Sequence, residues 1–335
     1  MKPLPHPLVV DGRFQLGRYD RPFPKLNFLD ASPRGFLRRL RLKEWQAFQF
    51  SDGRYFAVVA LFDAKFLGLV QAKVWDSETG TKHLFERKVR SASMTAPDQI
   101  LDGRMEWTSR GASMRFHTEL AKDRARVEFD LPATKTSAAM KARIEIDYAG
   151  TEPVVVCLPF DEERALYSQK GVAPASGELV LGEERVRLDP AQAFALIDDH
   201  RGFYPRVMQW DWLTTGGRTE DGTLWGLNLT RNQCLHPERY NENVLWRDGR
   251  ATPIGPVHFE RSGNEPGDHW TIQGEGVDLV FEVELAGRVD LNLGLFESRY
   301  RGPFGRVRGR VAPEGTEPFE IDGALAMGER FWLKA

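Results

Sequence analysis

His200, Arg201, Asp211, Asn228, Asn241 and Asn243 share one stretch, residues 199–248, with Trp210, Trp212, Trp225 and Trp246, four of the chain's nine tryptophans. Aromatic rings interleaved with amides and charges suit a pocket that holds an apolar molecule by its faces and orients it by a few polar groups. If the stretch is built of strands, alternation puts Met208, Trp210 and Trp212 on one face and Gln209, Asp211 and Leu213 on the other. In the same way Trp225, Leu227 and Leu229 oppose Gly226 and Asn228, and Asn241, Asn243 and Leu245 oppose Glu242, Val244 and Trp246. A buried amide left unpaired costs about 1–3 kcal/mol. The asparagines therefore either make turn and backbone bonds at strand ends or line a cavity whose contents satisfy them. His200 and Arg201, just ahead of Gly202, could likewise close a turn. On the cavity reading the ligand-binding candidates are Arg201, Trp210, Trp212, Trp225, Asn228, Asn241, Asn243 and Trp246, and the expected partner is a hydrophobic small molecule.

Other chemistries find little support. The chain has no G-x-S-x-G elbow, no phosphate-binding Walker loop, no H-E-x-x-H and no dinucleotide fingerprint after a strand. Cys234 lies near His236, but one Cys-x-His falls short of the three or four ligands a metal needs. No metal and no cofactor is expected. Cys157, inside VVVCLPF, reads as a buried apolar residue.

The elements that must position these residues are strands. KEWQAFQF and RYFAVVALF flank the turn Ser51-Asp52-Gly53, a hairpin signal. In KDRARVEFDL, Ala125, Val127, Phe129 and Leu131 alternate with Arg124, Arg126, Glu128 and Asp130. KARIEIDY and GVDLVFEVEL alternate in the same way, as antiparallel strands with one wet face do. Roughly sixteen to eighteen strands are expected at the spacing of sandwiches and barrels. The one helix candidate is PAQAFALIDDH, with Pro190 at a first position. Residues 1–40 read as a strap whose Phe14, Leu16, Phe23, Leu26 and Phe28 need cover. An internal echo links WQAFQFSDGRYFAVVAL from Trp45 with WDWLTTGGRTEDGTLWGLNLT from Trp210, close to half the chain apart. Two diverged copies of one β unit would explain it.

Composition sets the outer bounds. At 335 residues, 41% hydrophobic and 28% charged, the chain has the make-up of a globular protein with a real core. A formal charge of −2 argues against a dedicated nucleic-acid surface, so no nucleic-acid partner is expected. MKPLPHPLVV lacks the apolar run of a signal peptide. No stretch approaches the ~20 apolar residues of a membrane span. A cytoplasmic location and no transmembrane segment are expected, and the sequence carries no signal for an oligomeric state.

The chain resembles, over nearly its whole length, a bacterial family known as domain of unknown function twenty-eight hundred and four. The residues that carry the resemblance are Gly17, Pro22 and Asn27, then Arg201-Gly202, Tyr204-Pro205-Arg206, Trp210-Asp211-Trp212, Gly226-Leu227-Asn228, Asn241-Glu242-Asn243, Trp246 and Asp248-Gly249. More distantly, the Trp-Asp-Trp strand and the paired units are similar to the lipocalin-like superfamily of carotenoid hydratases and AttH-type proteins. That resemblance implies an all-β fold of two consecutive lipocalin-like (calycin) barrels with very little helix, divided here at 1–165 and 166–335. It places an apolar ligand in one barrel or between the two. The hydratases of the group protonate an alkene and let water add, which needs a buried acid of raised pKa beside aromatic faces. Asp211, with Trp210, Trp212 and Tyr204 around it, is the candidate acid, and His200 and Tyr204 are the further catalytic candidates. The function expected is binding of a lipid- or isoprenoid-like molecule. The alternatives are a cofactor-independent hydratase or isomerase acting on such a molecule, and a structural or interaction protein with a filled interior.

Overall fold

The computed structural model describes residues 7–32, 36–292 and 297–334. The chain is nearly all β, in two large curled antiparallel sheets that form a barrel and a half-barrel of lipocalin type. The first sheet runs, neighbour to neighbour, through Lys82–Arg90, Leu67–Asp76, Tyr55–Asp63, Leu42–Ser51, Phe194–Phe203, Ala165–Leu181, Met140–Asp147, Arg124–Leu131, Ala112–Glu119, Gly103–Ser109 and Met94–Thr95. The second runs through Arg250–Pro253, Val244–Arg247, Leu224–Arg231, Val207–Arg218, Phe319–Lys334, Phe304–Val311, Val277–Leu285, His269–Gly274 and Val257–Arg261. The chain changes sheet between Phe203 and Val207. Ala165–Leu181 and Phe194–Phe203, which the division at 165 assigned to the second unit, thus pair with strands of the first.

Twenty-seven strands occur among the described residues, more than the sixteen to eighteen expected. Part of the surplus is pieces of two or three residues, Val9–Val10, Arg13–Phe14, Gly17–Tyr19 and Met94–Thr95, too short to show a period of two. The helix expected at 190–200 is absent. A turn closes on the Asp189 carbonyl, and Phe194–Phe203 continues as a strand paired on both sides. Ala195, with Ala193 just ahead of the strand, packs into the first barrel, so tertiary context overrides helix propensity. The only α-helix among the described residues is Phe36–Arg41.

Alternation explains how three cores arise. Phe48, Val59, Val70, Ile144 and Ile197 fill the interior of the first sheet. Leu213, Leu227, Trp270, Phe281 and Val307 fill the second. The opposite faces of several of the same strands meet in a third core that joins the sheets, with Phe56, Trp75, Phe194, Leu196, Trp246 and Phe304. Phe194–Phe203 is therefore buried along its whole length. At this junction the backbones approach closely. A Cβ on Gly226 would lie 2.9 Å from Val172, and one on Gly216 2.7 Å from Phe194.

The strap is ordered over its described part. Phe23, Leu26 and Phe28 are buried with Cys157, Tyr167 and Phe203, while Phe14 and Leu16 are half-buried at their edge. Gly17–Tyr19 adds a strand beside Val154–Pro159. Both halves of the sequence echo are hairpins, Leu42–Ser51 with Tyr55–Asp63 and Val207–Arg218 with Leu224–Arg231.

Candidate functional site between the sheets

A cavity of about 250 Å³ lies in the joining core. The first sheet lines it with Trp45, Gln71, Lys170, Asp198 and His200, and the second with Met208, Trp210, Trp212, Glu329 and Phe331. Period two aims each set: Asp198 and His200 share a face of one strand, as do Ser168 and Lys170 of its neighbour. Aromatic rings make up much of the wall. Trp45 stacks on Tyr204 and on Trp210, with ring centroids 5.6 and 5.7 Å apart, and Trp210 lies 4.4 Å from Phe331. The leading tryptophans of the two echoed hairpins thus face each other.

One end of the cavity is a buried quartet of charges. Lys170 Nζ bonds Asp198 and lies 3.3 Å from Glu242. His200 Nε2 lies 3.1 Å from Asp198 and 3.0 Å from Glu242. The Ser168 hydroxyl donates to Glu242 at 2.5 Å and lies 2.9 Å from His200 Nε2. Two carboxylates balance one ammonium and one imidazolium, so the cluster is neutral when His200 is protonated. Burial alone would lower the pKa of His200; the Asp198 and Glu242 carboxylates outweigh it and lift the value to about 9. Burial likewise opposes ionisation of Asp198 and Glu242, yet the neighbouring cations win, depressing Asp198 and bringing Glu242 to about 2. His200 Nδ1 and the Tyr204 hydroxyl are buried without a hydrogen-bond partner among the described residues. Buried polar groups normally have one.

The other polar group is Glu329. Trp210 Nε1 donates to its carboxyl at 2.5 Å. Tyr300 lies beside it, and Lys73 Nζ donates to the Tyr300 hydroxyl at 2.7 Å. Burial raises the Glu329 pKa, and the charge of Asp198 adds to this; the Trp210 bond and Lys73 offset them only in part. Burial also pushes Lys73 down to about 8, despite the pull of Glu329. The cavity therefore pairs a carboxyl biased toward its neutral, proton-donating form with an imidazolium held among carboxylates.

The sequence candidates divide on this geometry. His200, Tyr204, Trp210 and Trp212 line the cavity. Asp211 does not: it sits on the opposite face of its strand, ion-paired with Arg261. Burial raises its pKa, against the pull of Arg261, Arg330 and Arg231. The same alternation turns Arg201 away from the cavity, toward Glu44 at 3.3 Å and Asp199 at 3.7 Å. Trp225 packs on Phe319 inside the second sheet, and Trp246 is buried in the joining core, its Nε1 donating to the Glu152 carbonyl.

The asparagines take the backbone role. Asn228 accepts from Trp212 Nε1 at 2.7 Å and donates to the Glu242 carbonyl at 3.0 Å. Asn243 accepts from the Thr230 amide and donates to the Gly255 carbonyl; Asn241 accepts from the Asn243 amide and donates to the Pro237 carbonyl. Arg18 of the strap donates to the Asn241 carbonyl at 2.9 Å. Together they fix the segment 240–244 so that Glu242 enters the cavity.

Glu242, Lys170, Asp198, Glu329, Tyr300 and Trp45 escaped the sequence reading as site residues. Asp198-x-His200 and Ser168-x-Lys170 each carried a usable signal, since residues two apart on a strand share a face. Glu329 carried none.

The quartet makes stability depend on pH. The folded pKa of His200, about 9, exceeds its ordinary 6.5. Its contribution is therefore complete below pH 6.5 and lost as pH rises through 9. Over that window unfolding free energy is expected to fall by on the order of 3 kcal/mol at 1.36 kcal/mol per unit. Urea unfolding from pH 6 to 10 measures it, and His200→Asn should flatten the curve.

No curated protein matches the chain by sequence. Solved structures share its fold. CghA bound to Sch210972 is similar with a TM-score of 0.59 at 14% identity, covering 96% of each chain. A second CghA structure gives 0.60 at 14%, covering 97% of this chain and 96% of that one. Kievitone hydratase from Nectria haematococca gives 0.54 at 10%, covering 87% and 88%. Residues 5–333 match one family along nearly the whole chain, and the protein belongs to that family, described as Domain of unknown function (DUF2804).

Proposed function

We propose that the protein binds an apolar small molecule in the cavity between its sheets and acts on it by acid catalysis without a cofactor, as a hydratase or isomerase. The observation that carries this reading is Glu329, a carboxyl of raised pKa opening into an aromatic cavity that also holds the His200 quartet. A carboxyl favoured in its neutral form is a competent proton donor at ordinary pH. Protonation of an alkene or enol carbon by Glu329 forms a carbocation. The facing indoles of Trp45 and Trp210 would stabilise it. In hydration, water adds to the cation and its extra proton returns to the Glu329 carboxylate. In isomerisation, a neighbouring carbon loses the proton instead. Glu329 takes the role first given to Asp211, whose side chain lies on the wrong face of the strand. A neighbour in fold named a hydratase accords with the proposal.

The test begins with what the cavity holds. Native mass spectrometry of protein purified from its own source, followed by organic extraction, should reveal a stoichiometric apolar compound. An empty protein that takes up nothing from a mixed lipid extract would refute the binding step, and the catalytic proposal with it.

A further inference from the structure

On the far side of the strands that carry Trp210 and Glu329 lies a second, polar cleft of about 580 Å³. Five arginines line it, Arg231, Arg261, Arg299, Arg301 and Arg330, in a chain whose formal charge is −2. Strand register makes their placement specific. Arg301 is the direct partner of Arg330, Arg330 of Asp211, and Asp211 of Arg231, so Arg–Arg–Asp–Arg forms one row across four adjacent strands. Like charges directly opposed in a sheet destabilise it. The local carboxylates relieve the cleft only in part: Asp211 attracts Arg231 and Arg330, Glu297 pairs with Arg299 at 2.6 Å, and five arginines still face three carboxylates. Asp211 is engaged by Arg261, and Asp290 by Arg301 and Arg288. Arg330 has no ion pair or hydrogen bond among the described residues, and Arg231 has only the His258 imidazole at 3.2 Å. Arg261, 10% exposed and 4.6 Å above the Trp270 ring, has its Nε buried without a partner among the described residues. Convergent guanidiniums with spare N–H groups match the oxygens of a phosphoryl group in number and geometry. A single carboxylate would leave most of that charge unmet.

We propose that this cleft, which adjoins the apolar cavity, binds a phosphate-bearing small molecule through Arg231, Arg261, Arg301 and Arg330. The inference does not depend on the acid chemistry proposed for Glu329: the four arginines line the polar cleft and not the cavity, although Trp210 and Phe331 contribute to the walls of both.

The experiment is isothermal titration calorimetry of the full chain with inorganic diphosphate, inorganic phosphate and acetate at low ionic strength. One-to-one binding is expected, with diphosphate at least about tenfold tighter than phosphate and acetate without measurable heat. Arg330→Gln and Arg231→Gln, substitutions at exposed positions, should each weaken diphosphate binding about tenfold or more. Arg185→Gln, at an exposed arginine of the first sheet paired with Glu178, should leave it unchanged. Without ligand, Arg330→Gln should melt no lower than the parent, since it removes an unpaired charge from the row. Diphosphate should raise the parent's midpoint and not the variant's. Absence of heat from both phosphates, binding no tighter than acetate, or unaltered binding by both arginine variants would overturn the proposal.

Discussion

Lys170→Met is expected to destabilise the fold by about 3–5 kcal/mol, the cost of breaking a buried ion pair from one side. Lys170 is 1% exposed and touches Asp198, Glu242 and His200. Met preserves much of its length and removes the charge. The two carboxylates then face one imidazolium in a largely buried site. One of them must take up a proton, which reverses the depression of both pKa values. The double variant Lys170→Met with Glu242→Gln restores the balance of charge and should recover part of the loss, a coupling that a double-mutant cycle reads directly. Equilibrium unfolding in urea near pH 7 is the measurement. A loss below about 1 kcal/mol would mean that water reaches the quartet.

The largest effect on activity should follow Glu329→Gln. The amide keeps the size of the side chain and an oxygen that can accept from Trp210, but cannot deliver a proton. Turnover of the extracted ligand should fall by about 10²–10⁴, the usual worth of a general acid, while its binding changes only a few-fold. Incubation in heavy water gives a second readout. The parent should place deuterium on the carbon that is protonated, and the variant should not. The same product and rate from the variant would exclude Glu329 as the donor.

Much of the fold was legible in the sequence because a strand exposed on one face advertises its period. Ala125, Val127 and Phe129 alternate with charges, Val277, Leu279 and Phe281 with Asp278 and an exposed Val280, and they sit where the pattern places them. The Trp45 and Trp210 hairpins, buried over most of both faces, were readable instead from their Asp-Gly turns. Legibility failed where both faces of a strand are covered. Phe194–Phe203 is buried at every position, so its period vanished, and Ala195 with the preceding Ala191 and Ala193 read as helix. The site suffered from this most, because it is built on such strands. Asp198 and Lys170 look like ordinary charges until a second sheet closes over them. Four residues of the cluster at 199–248, His200, Tyr204, Trp210 and Trp212, line the cavity. The cluster's asparagines follow the backbone-bonding alternative that the sequence allowed, and the side chain they aim is Glu242. Glu329 comes from the last long strand, and only tertiary pairing brings it beside Trp210.

The cavity has no barrel of its own, and its width is the gap between two separately packed sheets. Gly226 against Val172 and Gly216 against Phe194 act as spacers in that gap. A methyl group at either position would lie under 3.0 Å from its neighbour, forcing the side chain or the sheets to shift without altering any residue that meets the ligand. The dimensions of the chamber are thus tunable from its hinge line, and a relative with the same lining could accept a different molecule by changing only how its two halves lean together.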